Sequence, residues 1–270
     1  MQRALVVALL VGLSAPVIGT YLVQRKLSLL GDGIGHVALT GVALGWLVGS
    51  GMGLVTHDAL AIPGAVIAAI AGAVVIETVR ERTRGGGDVA LALLFYGGIA
   101  GGVLLIGLAG GTSANLVGYL FGSISTVSTS DVFLTIALCA VLLGVGLGLR
   151  PALFAVSHDA EFARATGLPV RALNIAIAVV AALTVTVAMR VVGLLLVSAL
   201  MIVPVAVAQL VARSFRSTMG LAIGLGTAVC VVGLSVTYWV PLAPGATIVV
   251  LAIAVYLTVL GVRGVASARR

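Results

Sequence analysis

The chain has 270 residues, of which 61% are apolar and 9% charged, with a mean hydropathy of +1.29 and a formal charge of +7. A soluble domain carries about 25% charged residues, so this chain cannot coat a water-facing surface, which excludes a soluble enzyme; disorder is excluded as well, because it needs low hydrophobicity. The expected fold is all-α, a polytopic transmembrane helical bundle forming one membrane domain over 1–270, and the cationic excess is assigned to cytoplasmic loops rather than to nucleic acid.

Nine apolar spans are predicted, at 4–24, 33–50, 59–79, 88–109, 131–149, 172–189, 191–211, 219–240 and 245–262, each near the roughly 20 residues that cross a bilayer. The first opens like a secretory signal, with Arg3 before an apolar run and Leu13-Ser14-Ala15 inside it. Its apolar character runs on to Val23 and the next span follows at once, so it reads as a span. Arg25 and Lys26 follow span one, Arg80, Arg82 and Arg84 span three, Arg150, Arg164 and Arg171 span five, Arg213 and Arg216 span seven, and Arg263, Arg269 and Arg270 the last span. Thirteen of the 15 cationic residues therefore fall on one side, leaving Arg3 and Arg190 on the other. This places the odd-numbered loops and the C-terminus in the cytoplasm and the N-terminus outside. Only Arg190 separates spans six and seven.

The stretch 110–130 after span four carries no charge, and holds Asn115-Leu116-Val117-Gly118-Tyr119-Leu120-Phe121-Gly122-Ser123-Ile124. It is too short to span and too apolar to be fully solvated, so a re-entrant half-helix is expected, covered by protein or lining a cavity. Glycines recur at every fourth position in Gly41/Gly45/Gly49, Gly97/Gly101, Gly144/Gly148 and Gly220/Gly224, a spacing that lets helix backbones approach. Pro204 is expected to kink span seven. Cys139 and Cys230 each stand alone in apolar runs and read as small buried hydrophobes.

An ionisable residue inside a span is a functional suspect. Asp32 and His36 lie at i and i+4 on one helix face, within Gly31-Asp32-Gly33-Ile34-Gly35-His36, so both side chains can reach one point. A carboxylate oxygen and an imidazole nitrogen suit Zn²⁺ or Mn²⁺. Two ligands alone bind weakly, but two copies across a two-fold axis would supply four. The alternative is a local Asp–His pair that caps and orients the helix near the cytoplasmic interface. Asp58, beside His57 at the outer end of span three, reads as a helix N-cap, with a ligand role for the pair as the second possibility.

The most polar stretch runs from Ser157 to Pro169. Asp159 as N-cap, then Glu161, apolar Phe162 and Ala163, Gly167 as C-cap and Pro169 beyond describe a short helix. Its apolar face could dock in a partner's groove or lie on lipid headgroups. The sequence has no G-x-x-x-x-G-K-[ST], and Lys26, its only lysine, follows no glycine loop, so the chain has no P-loop of its own for ATP.

The segment from Gly31 to Val42 resembles the Gly-Asp-x-x-x-His motif of the zinc/manganese ABC-transporter permeases, the ABC-3 family. Asp159 to Gly167 looks like that family's coupling helix. Val192 to Pro204, Pro244 to Val249 and Tyr119 to Ile124 are similar to further stretches of it, in order along nearly the whole chain. The resemblance implies the permease half of an importer for divalent metal, zinc first, in the bacterial cytoplasmic membrane. It implies a homodimer over two cytoplasmic ATP-binding subunits and an extracytoplasmic protein that delivers the ion. Asp32 and His36 would contact the metal in the path, and Asp159, Glu161, Phe162, Ala163 and Gly167 would form the coupling element. No bond-making chemistry and no tightly bound cofactor are expected; the metal is cargo. Members of the family often have eight spans, which makes eight the alternative count. Two other functions stay open: a permease for a chelate such as a siderophore, and an ATP-independent secondary metal transporter.

Overall fold

Inside a bilayer every backbone N–H and C=O needs a partner within the protein, and an apolar run of 20 or so residues meets that need by closing its own helical hydrogen bonds. The computed structural model describes residues 2–52, 60–82, 87–110, 113–122, 127–240 and 242–268. Within them lie α1 (Gln2–Gln24), α2 (Leu30–Gly51), α3 (Ala61–Arg82), α4 (Gly87–Leu108), α5 (Ser113–Phe121) and α6 (Thr129–Gly148). They are followed by α7 (Arg150–His158), α8 (Ala160–Ala165), α9 (Val170–Val192), α10 (Leu194–Val211), α11 (Phe215–Trp239) and α12 (Pro244–Ala268). Among the described residues nine of these helices are long and apolar enough to cross a membrane: all but α5, α7 and α8. The described helices thus supply the nine candidate spans expected.

Helix ends differ from the expected spans by up to six residues, and one break between spans moves with them. The break between spans six and seven falls at Gly193 rather than at Arg190, which sits within α9. Gly193 has φ +89, a left-handed value that favours glycine, and this one residue turns the chain from α9 into α10. Pro204 lies inside α10 without ending it, and Pro16 does the same in α1.

Helix α1 runs through the core. It packs against α6, α9, α10 and α11, while α2 packs against α3, α4 and α9. Close approach needs bare Cα atoms at a few points. A side chain at Gly19 would run into the Met201 backbone, and one at Gly41 into the Gly64 carbonyl. Gly45 faces Leu60 in the same way, so the Gly41/Gly45 stripe does seat α2 on α3. Two of the other stripes do not seat anything: Gly144, Gly148, Gly220 and Gly224 have open space around them within 4 Å, and in the Gly97/Gly101 pair only Gly101 meets a neighbour, Thr40. The packed glycines are instead Gly146, against Val17, and Gly226, against Gly12. Spacing identifies a helix face but not what lies opposite it.

The short α5, nine residues long, is the expected half-helix. It ends at Gly122, φ +72, whose bare Cα lies on the Val192–Gly193 backbone. Gly245, in the first turn of α12, meets the Phe121 and Val192 carbonyls at the same junction.

The ends assigned to the cytoplasm gather on one side. Gln24 Nε2 is 3.3 Å from His158 Nδ1, linking the end of α1 to α7. Phe215 at the start of α11 touches both Tyr21 of α1 and Phe154 of α7. On the opposite side Arg190 Nε lies 3.8 Å from Asp131 Oδ1. The alternation read from the loop charges is thus consistent with the packing. Cys139 and Cys230 are free and buried.

Candidate functional site

Helix α2 starts deep in the bundle. Chain leaves α1 through a turn in which Lys26 takes φ 58, the Lys26 amide donates to the Val23 carbonyl and the Leu27 amide donates to the Leu22 carbonyl. This is a Schellman closure with lysine where glycine is usual. The chain re-enters a helix at Leu30, fully buried, so Asp32 falls in the first turn of α2 and His36 one turn on. Gly31 packs on Met201 and Val185, and Gly35 on Val185 and Leu194. Val185 is fifteen residues into α9, about 22 Å along its axis. The pair therefore packs beside the body of α9, away from its first turns. The start of α2 carries no side-chain cap, with Leu29 at the N-cap position.

Asp32 Oδ1 stands 3.9 Å from His36 Nε2, and the side chains are 24% and 11% exposed. That is too long for a hydrogen bond. Asp32 Oδ1 and His36 Nδ1 are both buried without a hydrogen-bond partner among the described residues. Metal–ligand bonds to carboxylate oxygen and imidazole nitrogen run about 2.0–2.2 Å, so a single ion can touch Asp32 Oδ1 and His36 Nε2 across the 3.9 Å gap. No group of three or more His, Cys, Asp or Glu side chains forms a cluster among the described residues; the pair supplies two donors to any such ion.

On the cytoplasmic side Asp159 caps α8, its Oδ1 accepting from the Glu161 and Phe162 amides at 3.0 and 2.9 Å. Gly167, φ +83, closes the other end: its amide donates to the Arg164 carbonyl and that of Leu168 to the Ala163 carbonyl. The helix spans Ala160–Ala165, as Asp159 and Gly167 predict. Ala163 is fully buried against the body of the protein, whereas Phe162 projects outward, 64% exposed. Glu161 is exposed on the same short helix. His57 and Asp58 lie outside the described residues.

Sequence reading missed a second set of buried charges. Glu77 of α3, a span residue by the same criterion that singled out Asp32, is 2% exposed. Its Oε1 accepts from Arg25 Nη2 at 2.7 Å and its Oε2 from Arg80 Nη1 at 3.2 Å. The group ties the α1–α2 turn to α3. Asp131 was likewise overlooked. It is 8% exposed and forms a capping box with Ser128, a pairing its Ser-x-x-Asp spacing would have indicated.

Comparison with known proteins places these features in context. The ABC 3 transport family matches residues 1–263. The chain is similar to the manganese import system permease protein ScaB of Streptococcus parasanguinis, 33% identical over 92% of this chain and 85% of that protein. It is also similar to the manganese transport system membrane protein MntC of Halalkalibacterium halodurans, 32% identical over 93% and 83%. The chelated iron transport system membrane protein YfeD of Yersinia pestis is 30% identical over 93% and 81%. Among solved structures, PsaBC from Streptococcus pneumoniae in complex with Fab superposes with a TM-score of 0.81 at 31% identity, covering 96% of this chain and 90% of that one.

Proposed function

Since the chain belongs to the ABC 3 transport family, we propose that it is the permease subunit of an ATP-binding-cassette importer and that a divalent transition-metal ion passes through the Asp32/His36 pair. The observation that carries this reading is the pair itself: two unlike donors one helical turn apart, 3.9 Å from each other, with Asp32 Oδ1 and His36 Nδ1 unpartnered inside a transmembrane bundle. Leaving the Asp32 carboxylate oxygen unpaired in an apolar interior costs free energy, and a cation in transit held between it and His36 Nε2 would offset that cost.

The cargo is a first-row divalent ion. The relatives compared above are named for manganese and for chelated iron. The preference for zinc rests on the motif resemblance alone, and one oxygen with one nitrogen serves both zinc and manganese. Two chains meeting on a two-fold axis would bring four donors together, enough to close a site, and we infer a homodimer on that ground. ATP would be hydrolysed by a separate cytoplasmic subunit docking on α8, where Phe162 is presented outward and Ala163 anchors the helix to the bundle. An extracytoplasmic metal-binding protein would deliver the ion. Movement of α8 would then shift α9 and the bundle around the pair and alternate its access.

The test is uptake of ⁵⁴Mn²⁺ and ⁶⁵Zn²⁺ by proteoliposomes holding the complete transporter. His36→Ala and Asp32→Asn are each expected to lower uptake at least tenfold with membrane insertion unchanged. Wild-type uptake in both variants would remove the ligand role. A chelate-carrying permease, favoured by the similarity to YfeD, predicts uptake of ferric siderophore that free Mn²⁺ or Zn²⁺ does not compete and that neither substitution affects.

A further inference from the structure

A histidine that holds a metal through one ring nitrogen is normally oriented by a hydrogen bond from the other. Among the described residues His36 has no such partner: Nδ1 is buried and unpaired, while Nε2 faces Asp32. Something else must fix the ring about its Cβ–Cγ bond. The neighbouring helix α4 supplies it. Gly98 lies so close that a Cβ there would stand 2.8 Å from the His36 carbonyl carbon and 3.0 Å from its Cβ. Thr40 Oγ1 donates across to the Gly98 carbonyl at 2.8 Å, with the His36 carbonyl 3.2 Å from the same oxygen. One turn before Gly98, Phe95 presents its ring to the imidazole with centroids 4.8 Å apart and planes at 81°, an edge-to-face contact.

We propose that Phe95 is a positioning residue for the metal pair: in place of the missing hydrogen bond, its ring holds the His36 imidazole with Nε2 turned towards Asp32. The proposal rests on the metal-permease reading and adds a residue to it. Phe95 contributes no donor. It acts through His36, by packing, and an apolar side chain of similar bulk without an aromatic ring cannot replace it. An edge-to-face contact is worth enough to change the equilibrium between ring orientations roughly 3- to 10-fold, so a ring held correctly in about nine of ten molecules would be held so in only about half to three-quarters of them, and the apparent affinity for the ion should fall by up to about twofold.

Three variants test this in the complete transporter. Phe95→Leu keeps apolar bulk and is expected to raise KM for Mn²⁺ uptake by up to about twofold with Vmax and protein level near wild type. Phe95→Tyr keeps the ring and is expected to hold the wild-type KM. Leu93→Ala, on an exposed face of the same helix at 69% exposure, controls for disturbance of α4 and should leave KM unchanged. A role confined to core packing would instead lower protein level or Vmax in Phe95→Leu without moving KM, and that result would overturn the proposal. The ring can also be read without transport. In ¹⁵N-histidine spectra, with His36→Ala assigning the signal, the His36 resonances should be single in wild type and Phe95→Tyr and broadened or doubled in Phe95→Leu. Unchanged resonances in Phe95→Leu refute the positioning role. Wild-type uptake in His36→Ala refutes the metal reading instead, and the spectra still decide on Phe95.

Discussion

An arginine and a glutamate that meet inside an apolar bundle exchange their hydration for one another. Arg25 and Glu77 do so at 2.7 Å, with side chains 7% and 3% exposed. Burial pushes the Arg25 guanidinium below its usual pKa, and the Glu77 carboxylate opposes that shift, while Arg80 adds to it. A buried pair of this kind is weak evidence for net stability, but removing one partner strands the other. Glu77→Gln should therefore destabilise the protein by about 3–5 kcal/mol. The double variant Arg25→Met/Glu77→Met should recover most of that loss. Thermal unfolding midpoints in detergent measure both, and a double variant no better than the single one would contradict this account. Legibility at this scale was uneven for a physical reason. Asp32 and His36 are neighbours along one helix, so periodicity alone brings them together. Glu77 could have been flagged by its place in an apolar run, but its partner Arg25 lies 52 residues away. Phe95 carries no charge and no motif, and its role exists only in the contact between α4 and α2.

At the scale of elements, caps and lengths could be read from local chemistry. Asp159 and Gly167 bound α8 because a carboxylate satisfies orphan amides and a glycine accepts a left-handed turn. The junction of α5 with α9 and α10 could not be read that way. Gly193 looks like one more glycine in an apolar run, yet it takes φ +89 and lies against Phe121 and Gly122, so that two helix ends and the half-helix meet backbone to backbone. Gly193→Ala would meet both a strained backbone and the α5 terminus, and α5 should be displaced. Trp46 reports this, because it packs on Tyr119 of α5 with ring centroids 5.8 Å apart. The chain has two tryptophans, so in a Trp239→Phe background Trp46 is the sole emitter. Its emission should shift to the red in Gly193→Ala; an unshifted spectrum would mean that α5 keeps its seat without the glycine.

For the molecule as a whole, loop charge and helix packing make the same division of the chain into two faces. Phe162 at 64% exposure and Arg190, its side chain 42% exposed, mark the opposite sides. With Cys139 and Cys230 replaced by serine and the permease produced without its ATP-binding subunit, a Phe162→Cys variant should react with a membrane-impermeant maleimide in inside-out vesicles, and Arg190→Cys in right-side-out vesicles. The reverse pattern would invert the topology and move α8 away from any cytoplasmic partner.

Composition and charge placement by themselves determined that this chain is a helical membrane bundle, with nine candidate spans among the described residues, which of its loops share a side, and where one oxygen–nitrogen pair stands. Those properties follow from local solvation, since each residue's preference for lipid, water or a helix terminus acts without reference to distant neighbours. The tertiary structure decided the depth of that pair, the burial of Glu77 against Arg25, which glycines face a neighbouring helix, and the aromatic edge beside His36. Each of these is a contact between segments far apart in sequence, and its energy exists only once the helices are packed.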